Sequence, residues 1–407
     1  MNPSLHYRQE SAHVFRDATI MTGCGEGGRG DAGFPLTRNI VNLLRMSTIG
    51  VGIIGAGRIA LANHIPGLQF CPGAQVVALC DSDRAVLEAA SQQTGIKNLT
   101  TDFNDLITRD DVQAVVVATP NYLHAPIALA AAAAKKHILC EKPIAMNLEE
   151  AERMYRAVES AGVRHMTAFT YRFVPAMRYM AHLIKSGSIG RPYHFRANRF
   201  QDWAARGLGW RQIKKLCATG ELGDMLSHRI DYGFFLIGLI KRIVARMRIF
   251  IPQRGGQPTD VDDWVAMLGD FENGATGVWE SSKLTTGRGE GANSPDFCEV
   301  NGSDGTIVYQ LSRPWEVQVG KKDTTGLQTV QVPEQFLKLP SSTRDPRAGD
   351  PLATFRYDQD AEFIDAIRSG RPCQPSFLDG VRVQAVMDAA VLSDREGKWV
   401  EIGADYA

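Results

Sequence analysis

The sequence predicts an α/β protein in two parts: an N-terminal doubly wound parallel sheet, then an α/β domain with a large, mainly antiparallel sheet. Three observations carry this. Between Thr48 and Phe169 short β-branched runs alternate with helix-period segments, the pattern of strands covered by helices on both faces. After Tyr171 that alternation stops, and strand-like runs separated by turns such as Glu272-Asn273-Gly274 and Ser303-Asp304-Gly305 imply hairpin-connected strands. The length of 407 residues, with 44% hydrophobic content, suits two domains with separate cores.

Taken in order, residues 1–46 mix Gly, Asn, Arg and acidic residues without a sustained apolar period. They read as an extension, disordered or lying before an authentic start at Met46, and they lack the continuous apolar region of a secretory signal. A first domain over 47–169 places strands at Gly50–Ile54, Gln75–Cys80, near Leu99, and at Ala114–Ala118, His137–Cys140 and Arg164–Ala168. Helices are expected at Arg84–Thr94 and Leu148–Ala161. A second domain over 170–407 opens with a helix at Pro175–Lys185 and a long irregular Trp/Arg/Gly stretch, then an apolar helix at Leu226–Leu239. Strands follow at Ile243–Ile251, Trp264–Phe271, Thr276–Ser282, Phe297–Asn301, Thr306–Gln310 and Glu316–Val319. Pro333–Pro351, rich in Pro, Ser and charge, reads as a surface loop before two last helices, Phe355–Ser369 and Leu378–Glu396.

Composition narrows the function classes. The 45 basic and 45 acidic residues cancel, so no global field favours nucleic acid, an anionic membrane or a polyanion, and a small, uncharged or weakly charged ligand fits best. Seven scattered cysteines with no C-x-x-C pair argue against a disulfide framework or a thiolate metal site and for a reducing cytoplasm. The longest apolar stretch, Ala125–Ala134, is too short to span a bilayer.

Gly55-Ala56-Gly57-Arg58-Ile59-Ala60 lies between an apolar strand and a helix pattern and matches the G-x-G-x-x-G/A dinucleotide fingerprint. Gly55 allows the tight turn, Gly57 lets the backbone approach a pyrophosphate, and the following helix start, from Arg58 and Ile59, faces the phosphates. Asp81 closes the second strand, where a carboxylate accepts from ribose hydroxyls and repels a 2′-phosphate, which favours NAD over NADP; nearby Arg84 softens that preference. Two further segments follow strand C-termini, the edge where doubly wound sheets bind ligands: Thr119-Pro120-Asn121-Tyr122-Leu123-His124 and Glu141-Lys142-Pro143. Thr119, Asn121, His124, Glu141 and Lys142 are therefore cofactor-contact candidates, with ordinary helix-start capping the alternative for His124.

Through the fingerprint, Thr119-Pro120-Asn121…His124, Glu141-Lys142-Pro143, Tyr171-Arg172-Phe173, Gly187-x-Ile189-Gly190 and Asp224-x-x-x-His228-x-x-Asp231, the chain from about Thr48 to Ile402 resembles the glucose-fructose oxidoreductase/inositol dehydrogenase (Gfo/Idh/MocA) family. One departure is the glycine-rich lead to Asp224, reduced here to Gly220-Glu221-Leu222-Gly223. The resemblance implies a Rossmann first domain, a second domain whose sheet mediates homodimers or homotetramers, and a catalytic set of Lys142, Asp224 and His228.

The residue types suit that set independently. Asp224 and His228 are four apart and share a helix face. Neutral histidine is a suitable base for a hydroxyl proton, Asp224 can orient it or hold a neighbouring hydroxyl, and Lys142 can stabilise alkoxide character. Tyr171 and Arg172 are substrate or nicotinamide contacts, or else domain-junction packing. Trp203, Trp210, Trp279 and Arg288 form either a sugar-stacking wall or, the stronger reading, core or interface packing. The expected activity is NAD-dependent oxidation of a secondary hydroxyl on a sugar, sugar derivative or cyclitol, without a metal. The rivals are a glycoside-cleaving enzyme with retained NAD and a sugar- or cofactor-sensing regulator.

Overall fold

The computed structural model describes residues 48–289 and 296–403. The expectations for 1–46, including a start at Met46, lie outside the described residues.

The first sheet comprises β1 (Ile49–Ile54), β2 (Ala74–Cys80), β3 (Leu99–Thr100), β4 (Ala114–Val117), β5 (His137–Cys140) and β6 (His165–Thr167). They are all parallel, in the order β3-β2-β1-β4-β5-β6. Every residue of β1 and β4 is buried, because crossover helices cover both faces and leave no room for polar alternation. Local chemistry punctuates the helices. The Asp83 carboxylate accepts from the amides of Ala85 and Val86 at the start of Arg84–Thr94, and Gly95, at φ 78°, ends it. Asn147 and Gly162 do the same for Leu148–Ala161.

The second sheet has nine strands. They are β7 (Pro192–Phe200), β8 (Ile240–Arg248), β11 (Trp264–Phe271), β12 (Thr276–Ser282), β13 (Asp296–Gly302), β14 (Gly305–Gln310), β15 (Glu316–Lys321), β16 (Gln328–Gln331) and β17 (Val400–Glu401), with β9 (Gln253–Arg254) and β10 (Gln257–Pro258) forming a separate small ribbon. The order is β16-β15-β14-β13-β7-β12-β11-β8-β17, antiparallel except where β7 lies parallel to β12. Helices Pro175–Lys185, Ser227–Leu236 and Phe377–Glu396 pack on one face. Along β7, Phe195 and Ala197 are buried while His194 and Arg196 are exposed, and Leu268 and Val278 continue that uncovered face.

Some element boundaries differ from the sequence reading. The strand expected over Ile243–Ile251 starts three residues earlier, at Ile240, and ends at Arg248. Helix Ser227–Leu236 is preceded by a wider turn, Leu222–Leu226, and β9, β10, β16 and β17 were not legible because each is too short or too polar to show a period. The Pro333–Pro351 segment is not simply a surface loop. Arg344 is buried within it, bonding both carboxylate oxygens of buried Asp358 at 2.7 and 2.9 Å and the Leu337 carbonyl at 2.7 Å. Arg344→Ala, which leaves Asp358 buried and unpaired, is expected to cost about 3–5 kcal/mol of unfolding free energy in urea titrations; a loss within experimental error would show that the loop is not anchored this way.

Candidate active site

The cleft runs along the C-terminal edge of the parallel sheet as two adjoining cavities of about 280 and 490 Å³. The smaller is lined by Gly55, Gly57, Asp81 and Ser82, and the larger by Glu141, Lys142, Tyr171, Asp224 and His228; Arg58, Ile59, Thr119, Trp210 and Arg211 border both.

The fingerprint turn fits a dinucleotide. Gly55 adopts φ 95°, and a Cβ there would meet the Ala118 carbonyl oxygen at 2.6 Å, so no other residue fits without displacing β4's exit. A Cβ on Gly57 would meet nothing within 4 Å, which leaves open space where the backbone must approach a pyrophosphate. Asp81 Oδ2 accepts from the Ala56 amide at 2.9 Å and Oδ1 from the Asp83 amide at 3.0 Å, fixing the carboxylate at the rim of the smaller cavity. Arg84 does not soften this site: its guanidinium is highly exposed, pairs with Glu88 at 3.0 Å and does not line the cavity.

The second cavity is built by reach from both halves. Lys142, one residue beyond the Glu141 that follows β5, extends its ammonium to the Asp224 carbonyl oxygen and to Asp224 Oδ1 at 3.3 Å. Arg211 Nε lies 3.4 Å from the same oxygen. Burial opposes ionisation of Asp224, but Lys142 and Arg211 outweigh it and hold its carboxyl down at about 2. The shortened glycine lead is accommodated by Asp262, whose carboxylate accepts from the amides of Gly220 at 2.6 Å and Leu222 at 2.7 Å. A Cβ on Gly220 would meet the Asp262 carbonyl oxygen at 2.0 Å, so this one glycine is required. The wide turn Leu222–Leu226 follows directly, and it directs Asp224 toward Lys142 with no hydrogen bond to His228.

His228 is 3% exposed, and its ring meets Tyr171 edge-on at a centroid distance of 4.6 Å. Burial first, then Lys142, Arg229, Arg356 and Arg199, hold its pKa well below the usual 6.5, so the imidazole is neutral in the resting site. Nδ1 of His228 has no hydrogen-bond partner, and the same holds for buried Thr119 Oγ1, Thr170 Oγ1, Gln201 Oε1 and Gln359 Oε1 around the cleft.

Other sequence candidates fall elsewhere. His124 is fully buried behind the cleft, its ring nitrogens 2.9 Å from the Pro143 carbonyl and 3.0 Å from that of Thr119; it clamps the two loops together instead of contacting a cofactor. Asn121 lines the cleft while Nδ2 donates to the Cys217 carbonyl at 3.1 Å. Tyr171 faces the cavity, but Arg172 turns away: Nε and Nη2 engage Asp231 at 2.9 and 2.5 Å, and Nη2 reaches Asp379 at 2.9 Å. The substrate contact expected of Arg172 is therefore not made, because two carboxylates with little access to water claim its guanidinium. Trp203 and Trp210 line the cleft, with Arg206 and Arg211 over their rings at 3.9 and 4.2 Å. Buried Arg254 fixes that irregular segment by donating to the carbonyls of Trp203, Ala204 and Arg206. Trp279 is core, its indole donating to the Arg229 carbonyl at 2.9 Å. Arg199, Gln201, Arg211, Arg356 and Gln359 were not singled out from sequence; the inward alternation of β7 marks Arg199, but nothing local marks Arg356 or Gln359.

Glu141 is tied to the fold through an unanticipated contact. Fully buried His64 places Nε2 3.1 Å from Glu141 Oε1 and Nδ1 2.9 Å from Asp360 Oδ1. Burial disfavours the imidazolium, yet the two carboxylates prevail and push His64 up to about 10. Both ring nitrogens are then donors.

An NAD-binding oxidoreductase is what this fold and cleft define. The comparisons agree: residues 49–169 match the profile "Oxidoreductase family, NAD-binding Rossmann fold" and residues 177–308 the "GFO/IDH/MocA C-terminal domain". Levoglucosan dehydrogenase of Pseudarthrobacter phenanthrenivorans is 34% identical over 389 residues, 88% of this chain and 99% of that protein. Myo-inositol 2-dehydrogenase of Thermotoga maritima is 29% identical over 234 residues, 57% of this chain and 68% of that protein. The solved structure of levoglucosan dehydrogenase in complex with NADH and levoglucosan superposes with a TM-score of 0.81 at 33% identity, covering 87% of this chain and 99% of that one. The chain belongs to the Gfo/Idh/MocA oxidoreductase family.

Two outcomes are expected from this geometry. Asp81→Asn should narrow the preference for NAD over NADP by about tenfold, read as the ratio of the two kcat/KM values, since one ion-to-neutral change removes the repulsion of a 2′-phosphate; an unchanged ratio would place the ribose elsewhere. The folded-state pKa of His64 lies above the ordinary 6.5, so its contribution to stability is complete below pH 6.5 and is lost as pH rises toward 10. Thermal unfolding of the wild type should decline across that window with a steeper slope than His64→Gln; parallel slopes would mean that His64 is not held as an imidazolium.

Proposed function

We propose that the protein oxidises a secondary hydroxyl of a sugar, sugar derivative or cyclitol, with NAD as hydride acceptor. The observation that carries this reading is the convergence of Lys142, Asp224 and His228, from both halves of the chain, on one cavity next to the fingerprint turn. The unpartnered buried polar atoms of Thr119, Thr170, Gln201 and Gln359 suit a ligand carrying several hydroxyls, and the sugar named for the levoglucosan dehydrogenase complex is of that kind.

Held at the fingerprint turn and Asp81, NAD would supply the acceptor for the carbinol hydride, the alcohol becoming a ketone. The chain handles the proton. Neutral His228 takes the hydroxyl proton, which later passes to solvent, so the balance is alcohol and NAD⁺ giving ketone, NADH and H⁺. Lys142 donates to the reacting oxygen as alkoxide character develops, and Asp224 holds the ammonium in place. Gly55, Gly57, Arg58, Ile59, Asp81, Thr119, Asn121 and Glu141 form the cofactor side, Tyr171 the substrate side, and His124 acts only by positioning the loops. The uncovered sheet face bearing Arg196, Leu268 and Val278 suits a homodimer or homotetramer. Among the described residues no helix is long and apolar enough to cross a membrane.

NADH formation, followed by its near-ultraviolet absorbance over a panel of monosaccharides, anhydrosugars, sugar acids and inositols, tests the reading. Silence throughout, with NADH still bound, would favour a sensor; release of free sugar without net NADH would favour glycoside cleavage. Lys142→Met and His228→Ala should each lower kcat by about 10²–10⁴-fold while NADH binding stays near normal, whereas loss of NADH binding in both would put the chemistry elsewhere. Because His228 lies well below 6.5, kcat/KM should hold from pH 6.5 upward and fall only on the acid side of it. An acid limb centred above that point would remove His228 as the base.

A further inference from the structure

The reading above leaves the substrate's charge open, and the cleft bears on it. Arg356, at the entry to helix Tyr357–Ser369, lines the larger cavity beside Gln359. Its guanidinium lies 5.1 Å from the Tyr171 ring centre and 5.0 Å from that of Phe355, and Nη2 is 3.4 Å from the Tyr171 hydroxyl oxygen. No carboxylate among the described residues lies within ion-pair distance of it. Arg356 is half-buried, whereas the buried Arg172, Arg229 and Arg344 are each paired: Arg172 with Asp231 and Asp379, Arg229 with Asp296, and Arg344 with Asp358.

Carboxylates near the cavity are already committed. Asp224 faces Lys142 and Arg211, Asp296 faces Arg229 and Arg199, and Glu141 faces His64. The resulting positive field registers on two separate groups. Although burial works against it, Arg356, Arg199 and Arg229 draw the Tyr171 hydroxyl below its ordinary range, and the same three arginines join burial and Lys142 in depressing His228. A guanidinium packed beside two adjoining aromatic rings at a cavity wall is preorganised for a planar or tetrahedral anion.

We infer that the substrate is an anionic sugar derivative, whose carboxylate or phosphate, remote from the reacting carbon, is held by Arg356 at the Tyr171–Gln359 end of the larger cavity. This inference rests on the sugar-oxidising function proposed above. It narrows the expectation, drawn from the balanced total charge, of a small, uncharged or weakly charged ligand: a chain with no net charge still concentrates cations locally. Binding of the anion has a second consequence. It offsets the cations that disfavour the His228 imidazolium, so the base strengthens when the correct substrate is in place.

The test uses the full-length protein with NAD and sugars matched in ring but not in charge: glucose, glucuronate and a glucose monophosphate, with levoglucosan and myo-inositol as further neutral members. The expected result is a kcat/KM for one anionic member at least ~10-fold above its neutral counterpart, shrinking as salt is raised. Preference for glucuronate identifies a carboxylate subsite and preference for the monophosphate a phosphate subsite. Arg356→Gln should reduce the anionic-to-neutral ratio by ~10-fold or more, chiefly through KM, with Arg356→Lys retaining part of it. Competition by the same sugars for the NADH complex of the wild type gives a readout that does not depend on either variant folding. Neutral sugars oxidised as well as or better than the anions would overturn the inference and leave the dehydrogenase reading standing. No oxidation of any sugar, together with no sugar binding to the NADH complex, would overturn both.

Discussion

Lys142 leaves the C-terminal end of the parallel sheet and meets Asp224, which the wide turn of the second half presents to it. Each charge is almost withdrawn from water, with side-chain exposures of 12% and 16%, so neither half is complete without the other. The relative placement of fingerprint, cavity and base follows from this contact. Gly57 leaves room for a dinucleotide on one side of it, and Tyr171 and His228 close the cavity on the other.

Further buried charge contacts hold the walls in register. Arg172 joins the segment after β6 to Asp231 and to Asp379 on the last long helix, while His64 joins the fingerprint helix to Glu141 and to Asp360. The motif residues Arg172 and Asp231 thus serve packing, while Tyr171, one residue before Arg172, and His228, three before Asp231, face the cavity. Burying ions is costly, and these contacts repay the cost through geometry: a guanidinium or imidazolium with donors on several sides fixes three segments at once.

The electrostatics of the cavity differ from those of the chain as a whole. Balanced totals say nothing about where the charges lie, and here Arg199, Arg229 and Arg356 converge on Tyr171 and His228. A base kept neutral among cations is available to accept a proton at neutral pH, and its strength then depends on what charge the ligand brings.

The doubly wound plan, the dinucleotide turn, Asp81 and Lys142 were legible in the amino-acid sequence because each rests on local spacing, strand then glycines then helix or polar residues just after a strand, while the Lys142, Asp224 and His228 set came from the family resemblance, supported by the four-residue spacing of Asp224 and His228. Short polar strands were not, since two to four residues display no period. Only the tertiary structure decided that Arg172 and His124 turn inward to protein partners, that Arg84 turns to Glu88, and that Asp224 bonds Lys142 and not His228. It alone brought Arg356 and Gln359 from the far end of the chain to the cavity wall and paired His64 with Asp360, 296 residues away. The physical reason is that charge–charge contacts depend on distance in space, and spacing along the chain fixes that distance only within a helix, a strand or a tight turn.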